Sequence, residues 1–150
     1  MKYRNAVKGD EDQVLKVIGT VLSKYGLELE PNGADYDVTD IEKFYFNDNG
    51  WFQVVENNNE IIGSVGVYKI DEKKCELRKM YLYSEYQGQG IGKQLMENAL
   101  NKAKSLGYKK MELQTNSLLY KALPLYNKYG FKNDDNEVCS RCDISMIKEL

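Results

Sequence analysis

Histidine is missing altogether from these 150 residues. That removes the side chain whose charge changes near neutral pH and the commonest metal ligand. Acid–base chemistry therefore falls to carboxylates, tyrosine, cysteine, lysine or water, and no metal is expected. Cysteine is scarce: Cys75, Cys139 and Cys142 are an odd count in a chain long enough to need no staple. A reducing cytoplasm fits that usage. No apolar stretch approaches the length of a membrane span, and no basic run offers a grip on phosphate backbones. With a net charge of -2, neither nucleic acid nor membrane is an expected partner. The first dozen residues are charged from the outset, which speaks against a secretory leader. Internal repeats and low-complexity linkers are absent too, so 1–150 reads as a single domain.

What is present is patterned. Val14, Leu15, Val17, Ile18, Val21 and Leu22 recur at helical spacing, with Asp10 placed as an N-cap. Residues 27–38 read as loop, and Thr39 is placed to cap a short helix through Phe46. Trp51–Glu56 and Ile61–Ile70 read as a hairpin about Asn57-Asn58-Asn59, and Cys75–Leu82 reads as a third strand. Ile91, Leu95, Met96, Ala99, Leu100 and Ala103 share one helical face, which Gly107 ends. Met111–Thr115 is a strand and Leu118–Tyr129 a helix that Pro124 kinks or displaces. The tail from Phe131 adds two strands about the polar turn 133–136. This order predicts an α/β (α+β mixed) fold: a mixed, mostly antiparallel sheet of six or seven strands flanked by about four helices.

The segment Tyr86-Gln87-Gly88-Gln89-Gly90-Ile91-Gly92-Lys93 follows a strand and opens an amphipathic helix. Its glycines leave backbone N–H groups uncovered, and the helix end adds positive potential, which together suit a phosphate. A dinucleotide turn would need glycine where Lys93 stands, and a P-loop would need Ser or Thr where Gln94 stands. A glycine-rich turn that binds nothing remains the plain alternative.

A second motif stands downstream, Ala122-Leu123-Pro124-Leu125-Tyr126-Asn127-Lys128-Tyr129-Gly130-Phe131. Together the two segments resemble the GNAT superfamily of acyl-CoA N-acyltransferases. Its Q/R-x-x-G-x-G/A is matched at Gln87–Gly92, and its A-x-x-L-Y-x-K-x-G-F at Ala122–Phe131. The likeness runs from the Arg4-Asn5-Ala6 opening strand to the final strands and is strongest over 75–131.

The resemblance implies an enzyme, an N-acetyltransferase that uses acetyl-CoA as cosubstrate. Transfer to a primary amine would be direct, within a ternary complex. By resemblance, Met80, Tyr81 and Leu82 offer backbone groups to the pantetheine arm, with the Leu82 N–H polarising the thioester carbonyl. Gln87, Gly88, Gln89, Gly90, Ile91, Gly92 and Lys93 would hold the pyrophosphate. Tyr126 matches the acid that protonates the leaving thiolate; its plain alternative is a core aromatic with a bonded hydroxyl. Glu76, eleven residues before Gln87, matches a glutamate base found in some members. On a regular strand it shares a face with Arg78 and Met80, so an ion pair with Arg78 is the alternative. Many members carry an asparagine three residues before the motif alanine, where this chain has Leu119. Members are often homodimers, which the resemblance alone carries over.

Two features stand outside these motifs. Cys139-Ser140-Arg141-Cys142 could be half a zinc site, a redox pair or neither. Residues 28–42 hold Glu28, Glu30, Asp35, Asp37, Asp40 and Glu42 and no lysine or arginine. Beside an acceptor pocket they would favour a cationic small molecule or peptide as acceptor. If they are only solvated surface they say nothing of it. A non-catalytic acyl-CoA sensor is the competing function class.

Overall fold

The computed structural model describes residues 1–150 and contains one seven-stranded sheet. The strands are β1 (Lys2–Asn5), β2 (Trp51–Asn57), β3 (Glu60–Lys69), β4 (Lys74–Leu82), β5 (Lys110–Thr115), β6 (Lys132–Asn133) and β7 (Ile144–Glu149). Their order is β1-β2-β3-β4-β5-β7-β6. Every neighbouring pair is antiparallel except β4 and β5. Four α-helices accompany them: α1 (Glu11–Ser23), α2 (Ile41–Phe44), α3 (Ile91–Ser105) and α4 (Leu123–Lys128). The mixed, mostly antiparallel sheet flanked by helices is the architecture the patterning predicts.

Both faces of the sheet centre are covered. Trp51–Val55 and Ile61–Val67 are buried without interruption, so these strands read as continuous runs and not as alternation. On one face, Asn98 of α3 donates to Gln53 of β2. On the other, Tyr45, just past α2, packs its ring edge-to-face on Phe52 and would meet a Cβ at Gly66. α1 is tied to α2 by the Ile41 N–H, which donates to Glu11. Val14, Val17, Ile18, Val21 and Leu22 form the buried stripe of α1. Each such side chain contributes about 1.5–3 kcal/mol. The expected face of α3 is likewise the buried one.

Several local expectations change. Thr39 does not open a helix through Phe46: it closes a 3₁₀ turn (Tyr36–Thr39), and Asp40 caps the single turn of α2 by accepting from the Lys43 N–H. Asp10 occupies the N-cap of α1, but its carboxylate is taken by Arg4 and the Val7 N–H. The predicted helix 118–129 contracts to a 3₁₀ turn (Tyr120–Ala122) and α4, because Pro124 fits only a helix's first turn. In the tail, β6 and β7 are separated by residues 134–143, far more than the turn 133–136.

Candidate active site

β4 pairs with β5 only from Lys74↔Lys110 to Leu77↔Leu113. Beyond that point β5 continues with β7 to Thr115, while β4 leaves it. The cause lies on the other edge of β4. Its register against β3 passes from Gly66↔Arg78 to Ser64↔Tyr81, so Lys79 and Met80 together face the single residue Val65. Lys79 takes a left-handed φ of 54°, and such a bulge bends its strand. A cavity of about 920 Å³ fills the gap, with Arg78–Leu82 on one wall and Leu113–Asn116 on the other.

The bulge also overturns one expectation. Glu76, Arg78 and Tyr81 keep one face, but Met80 is shifted to the opposite one. Its Cε lies 3.9 Å from where a Cβ on Gly92 of α3 would stand. Past the bulge, Tyr83 donates its N–H to Ile62 of β3. Strand alternation then turns the Leu82 N–H away from β3, toward the gap.

The glycine turn closes one end of this cavity. Gly88 and Gly90 adopt φ of 79° and 83°, and a Cβ at either would meet nothing within 4 Å. The first helical backbone bond of α3 comes from the Gln94 N–H to Gly90, so the N–H groups before it are open at the helix's positive end. Gln87, Gly88, Gly90, Gly92 and Lys93 line the cavity. Gln89 and Ile91 do not: the Gln89 side chain turns back to the Glu85 carbonyl, and Ile91 is buried in the core. The Gln87 amide is spent on the Leu82 carbonyl, 3.2 Å away, which pins the turn to the strand.

Tyr126 and Glu76 both lie on the cavity wall and are buried. The Tyr126 ring sits edge-to-face with Phe131, and its hydroxyl makes no hydrogen bond within the protein. Burial, with Tyr81 alongside, raises its pKa well above that of ordinary tyrosine, so it holds its proton at neutral pH. Glu76 accepts from Arg78 Nε at 2.6 Å. Burial raises its pKa, and the nearby Glu112 adds to this, against the pull of Arg78. The ion pair weighed from sequence is therefore present. Arg78 also stacks over the Tyr68 ring, 3.6 Å from its centroid.

A buried charge cluster forms part of the cavity wall, with Asp37, Lys79 and Arg141 lining it and Asp35 behind them. Arg141 grips Asp35 with two hydrogen bonds, at 2.6 and 2.8 Å. Lys79, the bulge residue, donates to Asp35 at 2.8 Å and lies 3.5 Å from Asp37. Asp37 in turn accepts from the Tyr45 hydroxyl. Burial opposes the charge on Asp35, but Arg141 and Lys79 outweigh it and bring its pKa down to about 2. The acidic segment is thus neither bare nor merely solvated: two of its six carboxylates are internal anchors. Nothing in the sequence paired Asp35 with a residue 106 positions away. The lack of any lysine or arginine in 28–42 was the only signal that the counter-charges come from elsewhere.

Cys139 and Cys142 form a disulfide, their Cα atoms 5.1 Å apart, within the usual span. This excludes the half-zinc-site reading for the pair as it stands. Cys75 is buried, its thiol pushed up to about 12 chiefly by burial, which leaves it inert.

The sheet thus parts between two parallel central strands, with a glycine turn at the mouth of the gap. The model of the acetyltransferase (GNAT) family matches residues 18–131, and the chain belongs to that family. It is 29% identical over 150 residues to the uncharacterized N-acetyltransferase YjgM of Escherichia coli K12, covering 94% of this chain and 90% of that protein. Human N-acetyltransferase 8 is 34% identical over 102 residues, covering 64% of this chain; the match spans only 45% of that longer protein. A GNAT-family acetyltransferase from Staphylococcus aureus Mu50 shares the fold, with a TM-score of 0.93 at 19% identity over 99% and 98% of the two chains. So does an Elizabethkingia anophelis family member solved with acetyl-CoA bound, with a TM-score of 0.69 at 24% identity over 99% and 97%. No helix here is long and apolar enough to cross a membrane.

Proposed function

We propose that this protein is an acetyl-CoA-dependent N-acetyltransferase that acetylates a primary amine by direct attack in a ternary complex. The observation that carries this reading is the gap between β4 and β5. It opens at one end onto the uncovered N–H groups of the glycine turn, and both Tyr126 and Glu76 line it. The fit to acetyl-CoA rests on that geometry. Open N–H groups and Lys93 suit a pyrophosphate, and the unpaired edge of β4 suits an amide-bearing arm.

Bound there, acetyl-CoA supplies a thioester carbonyl open to an amine. The Leu82 N–H, turned into the gap, is placed to polarise that carbonyl. Glu76 takes a proton from the incoming ammonium, directly or through water. Its raised pKa makes it a stronger base than an ordinary carboxylate. Tyr126 holds a proton at neutral pH and has no other partner for it, so it is placed to protonate the departing thiolate. The acceptor end is walled by Tyr36, Phe44 and Tyr68 as well as by Glu76 and Arg78. A cationic acceptor keeps Glu76 as its partner, but the buried pairing of Asp35 and Asp37 lowers the charge available for steering.

A sensor that binds acyl-CoA without turnover is the competing reading. Amine-dependent release of free thiol from acetyl-CoA, with the acetylated amine identified by mass, tests the enzyme. Binding without release across primary amines of differing size and charge would favour the sensor.

A further inference from the structure

The Cys139–Cys142 loop is fastened to the acceptor side of the cavity through the residue it encloses. Arg141 lies between the two cysteines, grips Asp35 with both arms of its guanidinium, and donates to the Glu28 carbonyl at 2.9 Å. Asp35 in turn accepts from the Glu30 N–H and from Lys79 at the bulge. Cys139, Arg141 and Cys142 line the same cavity as Glu76 and Tyr126. Both cysteines are half-buried, so a small reductant can reach them. Other ties hold the ends of the segment. Cys139 N–H donates to Gln114, Asn116 donates to the Arg141 carbonyl, and Ser117 donates to Asp143. Within the loop, the Cys142 N–H donates to the Cys139 carbonyl and the Ser140 hydroxyl to Glu30, and the bridge adds the covalent restraint on Ser140 and Arg141.

We propose that Cys139–Cys142 is a thiol–disulfide exchange site whose closed form holds Arg141 on Asp35 and thereby sets the acceptor wall. That the cavity receives an amine rests on the proposed function; the coupling of the bridge to residues 28–37 does not. The exchange partner is a cellular dithiol. One of its thiolates attacks a sulfur of the bridge, breaking the S–S bond and releasing the other cysteine as a thiolate, which takes up a proton. The dithiol's second thiolate then displaces the remaining cysteine. The dithiol leaves as a disulfide, two electrons have passed, and both cysteines end as thiols. Opening the bridge restores backbone freedom at 140–141 and loosens the bidentate grip, which depends on a fixed fork geometry.

Hydrogen exchange read by mass spectrometry on the full chain tests this, with dithiothreitol as the dithiol. On reduction, amides in 28–37 should exchange about tenfold faster, the effect of losing one net hydrogen-bonded tie. Amides in α3 should not change. A C139S/C142S double variant should match the reduced protein and ignore dithiothreitol. Arg141→Lys, which keeps the charge but loses the fork, should exchange fast in both states. Acetyl-CoA affinity by titration should stay within about twofold, while KM for any amine that is turned over should change by about 5-fold or more. Unaltered exchange at 28–37, in protein whose free thiols under denaturing conditions have risen from one to three, would overturn the proposal. Three free thiols before any reductant is added would do the same. Neither exchange result needs acetyl transfer, so a failure of the enzyme reading is distinguishable.

Discussion

At the scale of single residues, Tyr126 carries the sharpest prediction. Its hydroxyl has no protein partner, so Tyr126→Phe removes a proton donor and no structural bond. Turnover should fall by about 10²–10⁴-fold with acetyl-CoA affinity unchanged. Rapid-quench turnover together with titration checks both halves, and a Phe variant with full turnover would hand the proton to water. Asp35 behaves oppositely. Asp35→Asn leaves Arg141 a buried charge without its counter-ion and leaves Lys79 only Asp37, at a cost of about 3–5 kcal/mol by denaturant unfolding near neutral pH. Its folded pKa of about 2 lies below the ordinary 3.8. The stability it adds is therefore complete above the ordinary value and lost as pH falls toward the folded one. The gap between wild type and variant should narrow over that window, and a gap constant with pH would contradict the assignment. That Tyr126 and Glu76 would reach one cavity was legible in the sequence, because one lies in a motif and the other at a fixed offset before Gln87. Asp35, Lys79 and Arg141 were not, since only the folded sheet brings the loop, the bulge and the tail together.

At the scale of elements, the glycine turn shows which substitution tests it cleanly. Gly90 sits at φ 83°, where a branched side chain is strained whatever the space around it. Gly90→Val therefore mixes backbone strain with any clash against a phosphate. Gly92 has no such φ, and a Cβ there would make only ordinary contact with Met80 and Leu125, at 3.9 and 4.0 Å. Gly92→Val should keep the fold and weaken acetyl-CoA binding about tenfold or more, read by titration. Unchanged affinity in that variant would remove the turn from the site. Apolar runs bounded by turn residues placed β2, β3, β4 and β5 to within a residue or two. The bulge escaped that reading. Val65, Lys79 and Met80 carry no proline or glycine to mark a break, and period-two reasoning put Met80 on the wrong face. The acidic stretch likewise reads as loop in sequence, while its capping turns depend on α1 lying beside them.

For the whole molecule, the fold was legible because its signals are consistent: a hairpin, one amphipathic helix between two strands, and a glycine just past α3 and α4. The gap between β4 and β5 follows from that topology plus one bulge, and it sets the cavity's position before any side chain is chosen. Charge was legible only as a count. Six carboxylates in 28–42 suggested a field, but Arg78, Lys79 and Arg141 turn two of them inward. Salt should therefore alter KM for a cationic amine only modestly, by less than about threefold between low and physiological ionic strength. A steep dependence would mean that the exposed carboxylates of the segment, and not the buried cluster, govern entry.

The central claim is that this gap performs amine-dependent acyl transfer. Release of free thiol from acetyl-CoA, followed while a primary amine and acetyl-CoA are varied independently, tests it most directly. Release is expected only when amine is present, with an N-acetylated product and intersecting initial-velocity lines, as a ternary complex requires. Thiol release indifferent to amine, or parallel lines with an acetylated protein as intermediate, would contradict it.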